Sequence, residues 1–304
     1  MTIAACYLSP EGVVLGADST SSMFVPSGTG AGLFHYFNHN QKLFEVGENS
    51  TLGMVTWGLG GLGPVSHRTL IANLDDDMRA TPAIPVRNVQ DVATRWAGIF
   101  WKAYSAQLPV IAPDWAPLLA KSPFVAGAQA PSPQTRTKDE EDRFQALSRD
   151  LVVGFCIGGY VLPQRVTTAF TVVFHPNLTA EPIPIVMPMF QCQWFGVPNL
   201  ILRLINGYDI SIVQSLMSSG KWKGTELELR GILDKFQLAH PVLPIRDAID
   251  FVYTSIYSTI KAMKFSTLSQ VCGGPIELAV ITSDRRFRWV RHKSWDSAIG
   301  EDKT

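Results

Sequence analysis

Met1-Thr2 opens the chain, and a small residue after an initiator methionine is the usual signal for removing that methionine. With Met1 gone, Thr2 presents a free α-amine beside its own hydroxyl. A threonine hydroxyl is a poor nucleophile near neutral pH and needs a base within hydrogen-bond reach. An α-amine, with a pKa of about 7.7, suits that task, so one residue supplies nucleophile and base. Many cytosolic proteins begin Met-Thr without such a role, so other residues must carry the reading. Asp18, in Gly16-Ala17-Asp18-Ser19, ends the second of two short strands of similar length, and their hairpin returns it towards Thr2. Lys42 starts the third strand and is placed to pair with Asp18. A buried Asp–Lys pair keeps both groups charged, and a cation lowers the pKa of a neighbouring hydroxyl. Such a pair is costly to bury unless well hydrogen-bonded, which points to function over stability. The alternative is a surface aspartate at a turn and an unrelated surface lysine.

Gly58-Leu59-Gly60-Gly61-Leu62-Gly63 follows an apolar strand and precedes a helix. Backbone N–H groups there could hold a developing oxyanion; a plain strand-to-helix turn explains the glycines equally well. No Gly-Lys-Ser/Thr follows, which argues against a phosphate-binding loop. The six histidines lack metal spacing and read as solvated loop residues. Cys6, Cys156, Cys192 and Cys272 are widely separated without a CxxC pair, which suits buried free thiols in a reducing compartment. Cys6, in mid-strand, reads as inert packing. Trp96, Phe100 and Trp101 read as core or subunit contact. No cofactor is implied.

The elements that position these groups begin with strands Thr2–Leu8 and Gly12–Ala17 around the turn Ser9-Pro10-Glu11-Gly12. Ser19–Asn40 reads as a long excursion, Lys42–Val46 and Thr51–Trp57 as strands, and Val65–Met78 as a helix. A second helix is capped by Asn88, with Val89, Val92, Trp96, Ile99, Phe100 and Ala103 on one face. Pro109–Arg143, with its Pro and Ala clusters and a charged run, reads as an inserted loop or disordered segment. Strands return at Asp150–Val161, Thr167–Phe174 and Phe190–Phe195. Helices are expected at Asn199–Asn206, Asp209–Ser218, Glu226–Leu238 and Ile245–Phe265, then a closing strand pair at Ile276–Thr282 and Phe287–Arg291. Segregated runs of this kind suit sheets packed face to face with helices outside. No internal repeat is visible.

The 304 residues, 46% of them hydrophobic, are enough to bury a substantial core. Twenty-six basic residues balance twenty-six acidic ones, so charge makes no case for nucleic acid or an anionic membrane. The amino terminus has no basic leader followed by an apolar core, and no apolar run approaches the roughly 20 residues that span a bilayer. A soluble, cytoplasmic protein is the expectation.

Residues Thr2-Ile3-Ala4-Ala5 through Gly12–Ser19 resemble the opening of proteasome β-type subunits and their bacterial relatives, the threonine peptidases among N-terminal-nucleophile hydrolases. Lys42 in Gln41-Lys42-Leu43 resembles that family's catalytic lysine, and Thr56-Trp57-Gly58 its oxyanion glycine. Cys272-Gly273-Gly274-Pro275 and the strand after it resemble the family's Gly-Gly turn. The likeness covers residues 1–80 and 245–291; the middle matches by element order. It implies an α+β fold, a four-layer αββα sandwich of two antiparallel sheets forming a single domain over residues 1–304, with an insertion at 109–143 and extra helices at 209–238. It also implies a homo-oligomeric ring around a chamber and a peptide or amide substrate, and it leaves open whether a separate ATP-driven unfoldase is a partner. The implied site is Thr2 as nucleophile, Asp18 and Lys42 tuning it, and the Gly58 N–H holding the oxyanion. Two departures concern the residues that normally orient the terminal amine. Trp194-Phe195-Gly196-Val197 stands where the family has a Gly-Ser-Gly turn, and Ser269 and Cys272 stand near its usual Asp and Ser. The same likeness admits a non-catalytic structural subunit or binding module.

Overall fold

Ile3–Ser9 (β1) and Gly12–Ala17 (β2) pair antiparallel from Ser9↔Gly12 to Ala4↔Ala17. Both are buried along their whole length, which is why neither alternates polar with apolar residues. The computed structural model describes residues 2–25, 33–80, 85–125, 133–238, 240–267 and 270–293. Within Ser19–Asn40, expected as an irregular excursion, Ser21–Val25 (β3) and Leu33–Phe37 (β4) pair antiparallel. That ribbon was hidden because its residues do not alternate clearly. Leu43–Glu45 (β5) and Leu52–Gly58 (β6) follow, then His67–Ala80 (α1) and Val89–Ile111 (α2). The Asn88 side chain accepts from the Asp91 N–H and caps α2 as expected.

The segment Pro109–Arg143 departs from the expected structureless insertion. Pro109 lies inside the last turn of α2, Trp115–Leu119 forms α3, and the charged run Lys138–Arg143 opens α4, Lys138–Asp150. Thr137 and Glu140 form a reciprocal capping box, and three acidic residues occupy the first turn, where they favour a helix. The helical signal sits past the charge run: Phe144, Leu147 and Leu151 pack on Ala112, Trp115 and Leu118. The part of that expectation falling on 126–132 lies outside the described residues.

Next come Val153–Gly159 (β7), Thr168–Phe174 (β8), Ile185–Val186 (β9) and Gln191–Gly196 (β10). Helices Asn199–Asn206 (α5), Ile210–Ser218 (α6), Glu226–Leu233 (α7) and Ile245–Phe265 (α8) precede Glu277–Thr282 (β11) and Arg285–Arg291 (β12).

Contacts divide the chain into two compact units. Met1–Leu43, Pro188–Thr282 and Arg288–Thr304 form the first, Phe44–Met187 with Ser283–Phe287 the second. The first is built on the sheet β10-β1-β2-β11-β12, with α8 packed on β1 and β2. Its core joins Ile3, Ala5, Tyr7 and Val14 to Val252, Ile256 and Met263 of α8 and to Leu278. The second is built on β5-β6-β7-β8-β9, with α2 packed on β7 and β8. Trp96 and Phe100 are fully buried in its core, and Trp101 packs against that core from a partly exposed position. Not every histidine is a solvated loop residue. His35 belongs to β4, and His67 starts α1 with its ring buried against Phe100 and Phe155. Among the described residues, no helix is long and apolar enough to cross a membrane.

Candidate active site

The equal arms of the β1–β2 hairpin place Asp18 directly beyond its last register pair, opposite Ile3. The Asp18 N–H donates to the Ile3 carbonyl at 3.1 Å, and the Ile3 N–H donates to Asp18 Oδ1, also at 3.1 Å. Asp18 is thereby fixed to the peptide that follows Thr2.

Lys42, just before β5, reaches the same oxygen: its Nζ lies 2.6 Å from Asp18 Oδ1 and 2.5 Å from the Thr20 carbonyl. Asp18 is 0% exposed, Lys42 4% and Thr2 3%. The remaining oxygen, Oδ2, accepts from the Gly273 N–H at 2.8 Å and the Thr20 N–H at 3.2 Å. Burial is the largest influence on the Asp18 carboxyl and pushes its pKa up; the Lys42 charge and the amide donors pull it down. A carboxyl surrounded by four donors, one of them an ammonium, has no acceptor for a proton of its own. That arrangement fits the ionised form.

The loop carrying Lys42 is tied to the Asp18 loop at several points. The Asn40 N–H donates to the Ser19 carbonyl at 2.9 Å, and Thr20 Oγ1 bonds Asn38 Oδ1 at 3.0 Å. The Ser19 and Thr20 N–H groups both donate to the Gly273 carbonyl at 3.0 Å. Ser21, Tyr36, Phe37, Asn38, His39 and Asn40 line an open cleft.

Thr2 is held from its other side by β10. Its carbonyl accepts from the Val197 N–H at 2.8 Å, and Gly196 crosses it so closely that a Cβ there would fall 1.9 Å from that oxygen. Gly196 also has φ +83°, so the position is restricted to glycine twice over.

Gly58 lies at the end of β6 in the second unit. Its φ of +85° and a Cβ position 2.2 Å from the Val152 carbonyl account for the glycine by backbone geometry alone. Thr2, Asp18 and Lys42 gather within the first unit. Met1 and Ser269 lie outside the described residues. Cys272, at the place of an amine-orienting residue in the resembled family, is fully buried with Sγ 3.3 Å from Met263 Sδ. Burial pushes its thiol up to about 12.

Sequence reasoning missed the amide donors from Ile3, Thr20 and Gly273, because backbone groups carry no residue-type signal. The Gly273-Gly274 pair was the available clue. Glu277 was missed too, although it interrupts the apolar run Ile276–Ile281. It is fully buried, with Lys293 Nζ 3.2 Å from Oε2 and His292 Nδ1 2.8 Å from Oε1.

No family model matches the chain, and no curated protein does. Among solved structures it is similar to the Anbu (Gly-1) mutant from Hyphomicrobium sp. strain MC1, with 12% sequence identity and a TM-score of 0.52 over 99% of this chain and 91% of that one. At that identity the likeness establishes fold alone. The chain has the α+β fold of two antiparallel sheets with helices expected for an N-terminal-nucleophile hydrolase, and shares it with the Anbu structure.

Proposed function

We propose that the chain is a threonine-type amide hydrolase, an endopeptidase acting within a self-compartmentalising homo-oligomer. The fold likeness supports a proteasome-like hydrolase in general; the finer reading rests on one observation. The fully buried Asp18 carboxylate takes both the Ile3 N–H and the Lys42 ammonium on a single oxygen, which puts an ion pair one peptide from Thr2.

In this reading Met1 is removed and Thr2 Oγ attacks the substrate's amide carbon. The hydroxyl proton passes to the free α-amine, which returns it to the leaving nitrogen as the C–N bond breaks. The acyl ester on Thr2 is then hydrolysed by water activated by the same amine. Lys42, paired with Asp18, is the cation that lowers the hydroxyl pKa in this reading. The Gly58 N–H is our candidate oxyanion donor. The substrate is a peptide or another amide, and a separate ATP-driven unfoldase is the partner this reading admits. A reducing, cytoplasmic compartment belongs to the same reading, in which the four buried cysteines serve packing.

Thr2→Ala tests the proposal: the variant should fold and assemble as the parent does, with turnover abolished. Retained turnover would falsify the reading. One observation favours a second reading, a non-catalytic relative. Cys272, with its raised pKa and apolar setting, is a weak donor where the resembled family has a residue that orients the amine. Intact-mass measurement separates the two, since retained Met1 blocks the amine.

A further inference from the structure

Besides the Asp18–Lys42 pair, the first unit holds a second fully buried charge, Glu277, that the proposed chemistry does not use. Glu277 opens β11 in register with Ala17, the residue before Asp18. Beside it, the side chain of Gly16 is absent because Val252, Ile256 and Leu278 fill that position from the α8 side. By the alternation of a strand, Ala17 and Glu277 point to the opposite face from Gly16 and Leu278. A glutamate on a fully buried strand position is unfavourable unless it is paired and hydrogen-bonded. Lys293, two residues past β12, supplies the pairing at 3.2 Å and His292 lies at 2.8 Å from the other oxygen. His292 is itself stacked on Trp289, with ring centroids 4.0 Å apart.

Lys293 does more than neutralise Glu277. Its Nζ also lies 2.9 Å from the Asn40 carbonyl. Asn40 is two residues before Lys42, and its N–H holds the Ser19 carbonyl. The peptides of residues 38–42 are therefore gripped on one side by Ser19 and Thr20, and on the other by an ammonium anchored in the sheet. Hydrogen bonds to charged groups are the stronger kind, and an ammonium fixed by a buried carboxylate is a rigid anchor.

We propose that Glu277 and Lys293 are positioning residues, which hold the Asn40 peptide so that Lys42 meets Asp18 and the Thr20 carbonyl. As a contribution to catalysis this rests on the threonine hydrolase reading; as a statement about Lys42 placement it does not. Small displacements of positioned groups lower rates steeply.

Two readouts test it on the full-length protein. The first is the Lys42 side-chain ammonium signal in 1H–15N spectra, assigned by its loss in Lys42→Met. The second is turnover of a peptide or acyl-amide substrate. In folded Lys293→Met, the Lys42 signal should shift and lose its protection from solvent exchange. Turnover should fall about 10- to 100-fold in kcat with KM little changed, and Lys293→Arg should recover part of both. Glu277→Gln should move both readouts in the same direction, because Lys293 then loses its anchor. Lys293→Gln replaces Lys293→Met in both measurements if the latter does not fold. An unchanged Lys42 signal in a folded Lys293 variant overturns the proposal whatever the activity. A moved signal with full turnover overturns the catalytic part. If the parent protein turns over nothing, or Thr2→Ala keeps its turnover, the hydrolase reading fails, and the ammonium signal alone decides the positioning claim.

Discussion

Lys42→Met probes the candidate site most directly, because methionine keeps the length and apolar stem of the side chain while deleting its charge. Asp18 then stays fully buried with its amide donors from Ile3, Thr20 and Gly273 but without a counter-ion. Removing one partner of a buried pair costs about 3–5 kcal/mol. Against a typical stability of about 5–15 kcal/mol, that is a large fraction. A simple ion pair would be relieved by replacing both members with apolar residues. Asp18→Leu combined with Lys42→Met should not be relieved, because it orphans three buried amides. Each such amide costs about 1–3 kcal/mol, so the double variant should remain at least about 3 kcal/mol below the parent.

Acid should discriminate further. Burial already holds the Asp18 carboxyl above its ordinary range, and losing the Lys42 charge raises it more. In Lys42→Met the folded state then keeps a proton that the unfolded chain releases. The contribution of that proton to stability is fully present below the unfolded carboxyl pKa of about 3.9 and is lost as pH rises through the raised folded value. The gap between variant and parent should therefore narrow in acid. Urea unfolding of the parent and both variants at pH 4.5 and 7.5 measures all of this. A Lys42→Met loss under about 1 kcal/mol, in the range of a surface pair, would refute the buried-pair argument. So would a double variant as stable as the parent.

Two further outcomes follow from single residues. His67 is buried with no hydrogen-bond partner for Nε2 among the described residues, and burial lowers its pKa from 6.5 to about 4. Because the folded pKa is depressed, stability present above pH 6.5 is lost as pH falls towards 4. The loss is about 1.4 kcal/mol per unit and about 3 kcal/mol in total, and His67→Leu should remove that share of the acid sensitivity in a pH series of urea midpoints. Gly196→Ala forces a Cβ into the Thr2 carbonyl at a left-handed φ, so it should lose about 2 kcal/mol or more and reduce turnover in whatever still folds. A midpoint within experimental error of the parent's would contradict it.

Elements with a strong local signature were legible in the sequence. The spans of α5 and α8 match, because α5 is closed by the left-handed Gly207, and α8 starts just after Pro244 and carries a long apolar stripe. The β1–β2 hairpin was legible from its turn residues, and its register then placed Asp18. Elements whose signal is tertiary were not. The β3–β4 ribbon hides among Ser, Gly and Asn. The start of α4 hides within a charge run that reads as solvated until Phe144 and Leu147 find Trp115 and Leu118. The site divides along the same line. Side chains with a chemical identity, Thr2, Asp18 and Lys42, stand out in the sequence, whereas the Ile3 and Thr20 amides on Asp18 are backbone groups without a residue-type signal, and the Gly273 amide and the Lys293 grip on Asn40 join residues 255 and 253 positions apart.

Asp18 by itself does not require a catalytic explanation. A carboxylate with three amide donors closes the mouth of a hairpin and ties it to the Gly273 turn, and a neutral hydroxyl could complete its hydrogen bonding. What the fold alone leaves unexplained is the second charge. Bringing the Lys42 ammonium to 4% exposure adds another desolvation penalty, and among the described residues the backbone contributes only the Thr20 carbonyl towards it. An apolar residue at position 42 with a neutral partner for Asp18 would serve packing at least as well. The proposed hydrolase reading accounts for the ammonium, because there a hydroxyl has to lose a proton, and the peptide bonded to the same carboxylate oxygen is the one that begins at Thr2.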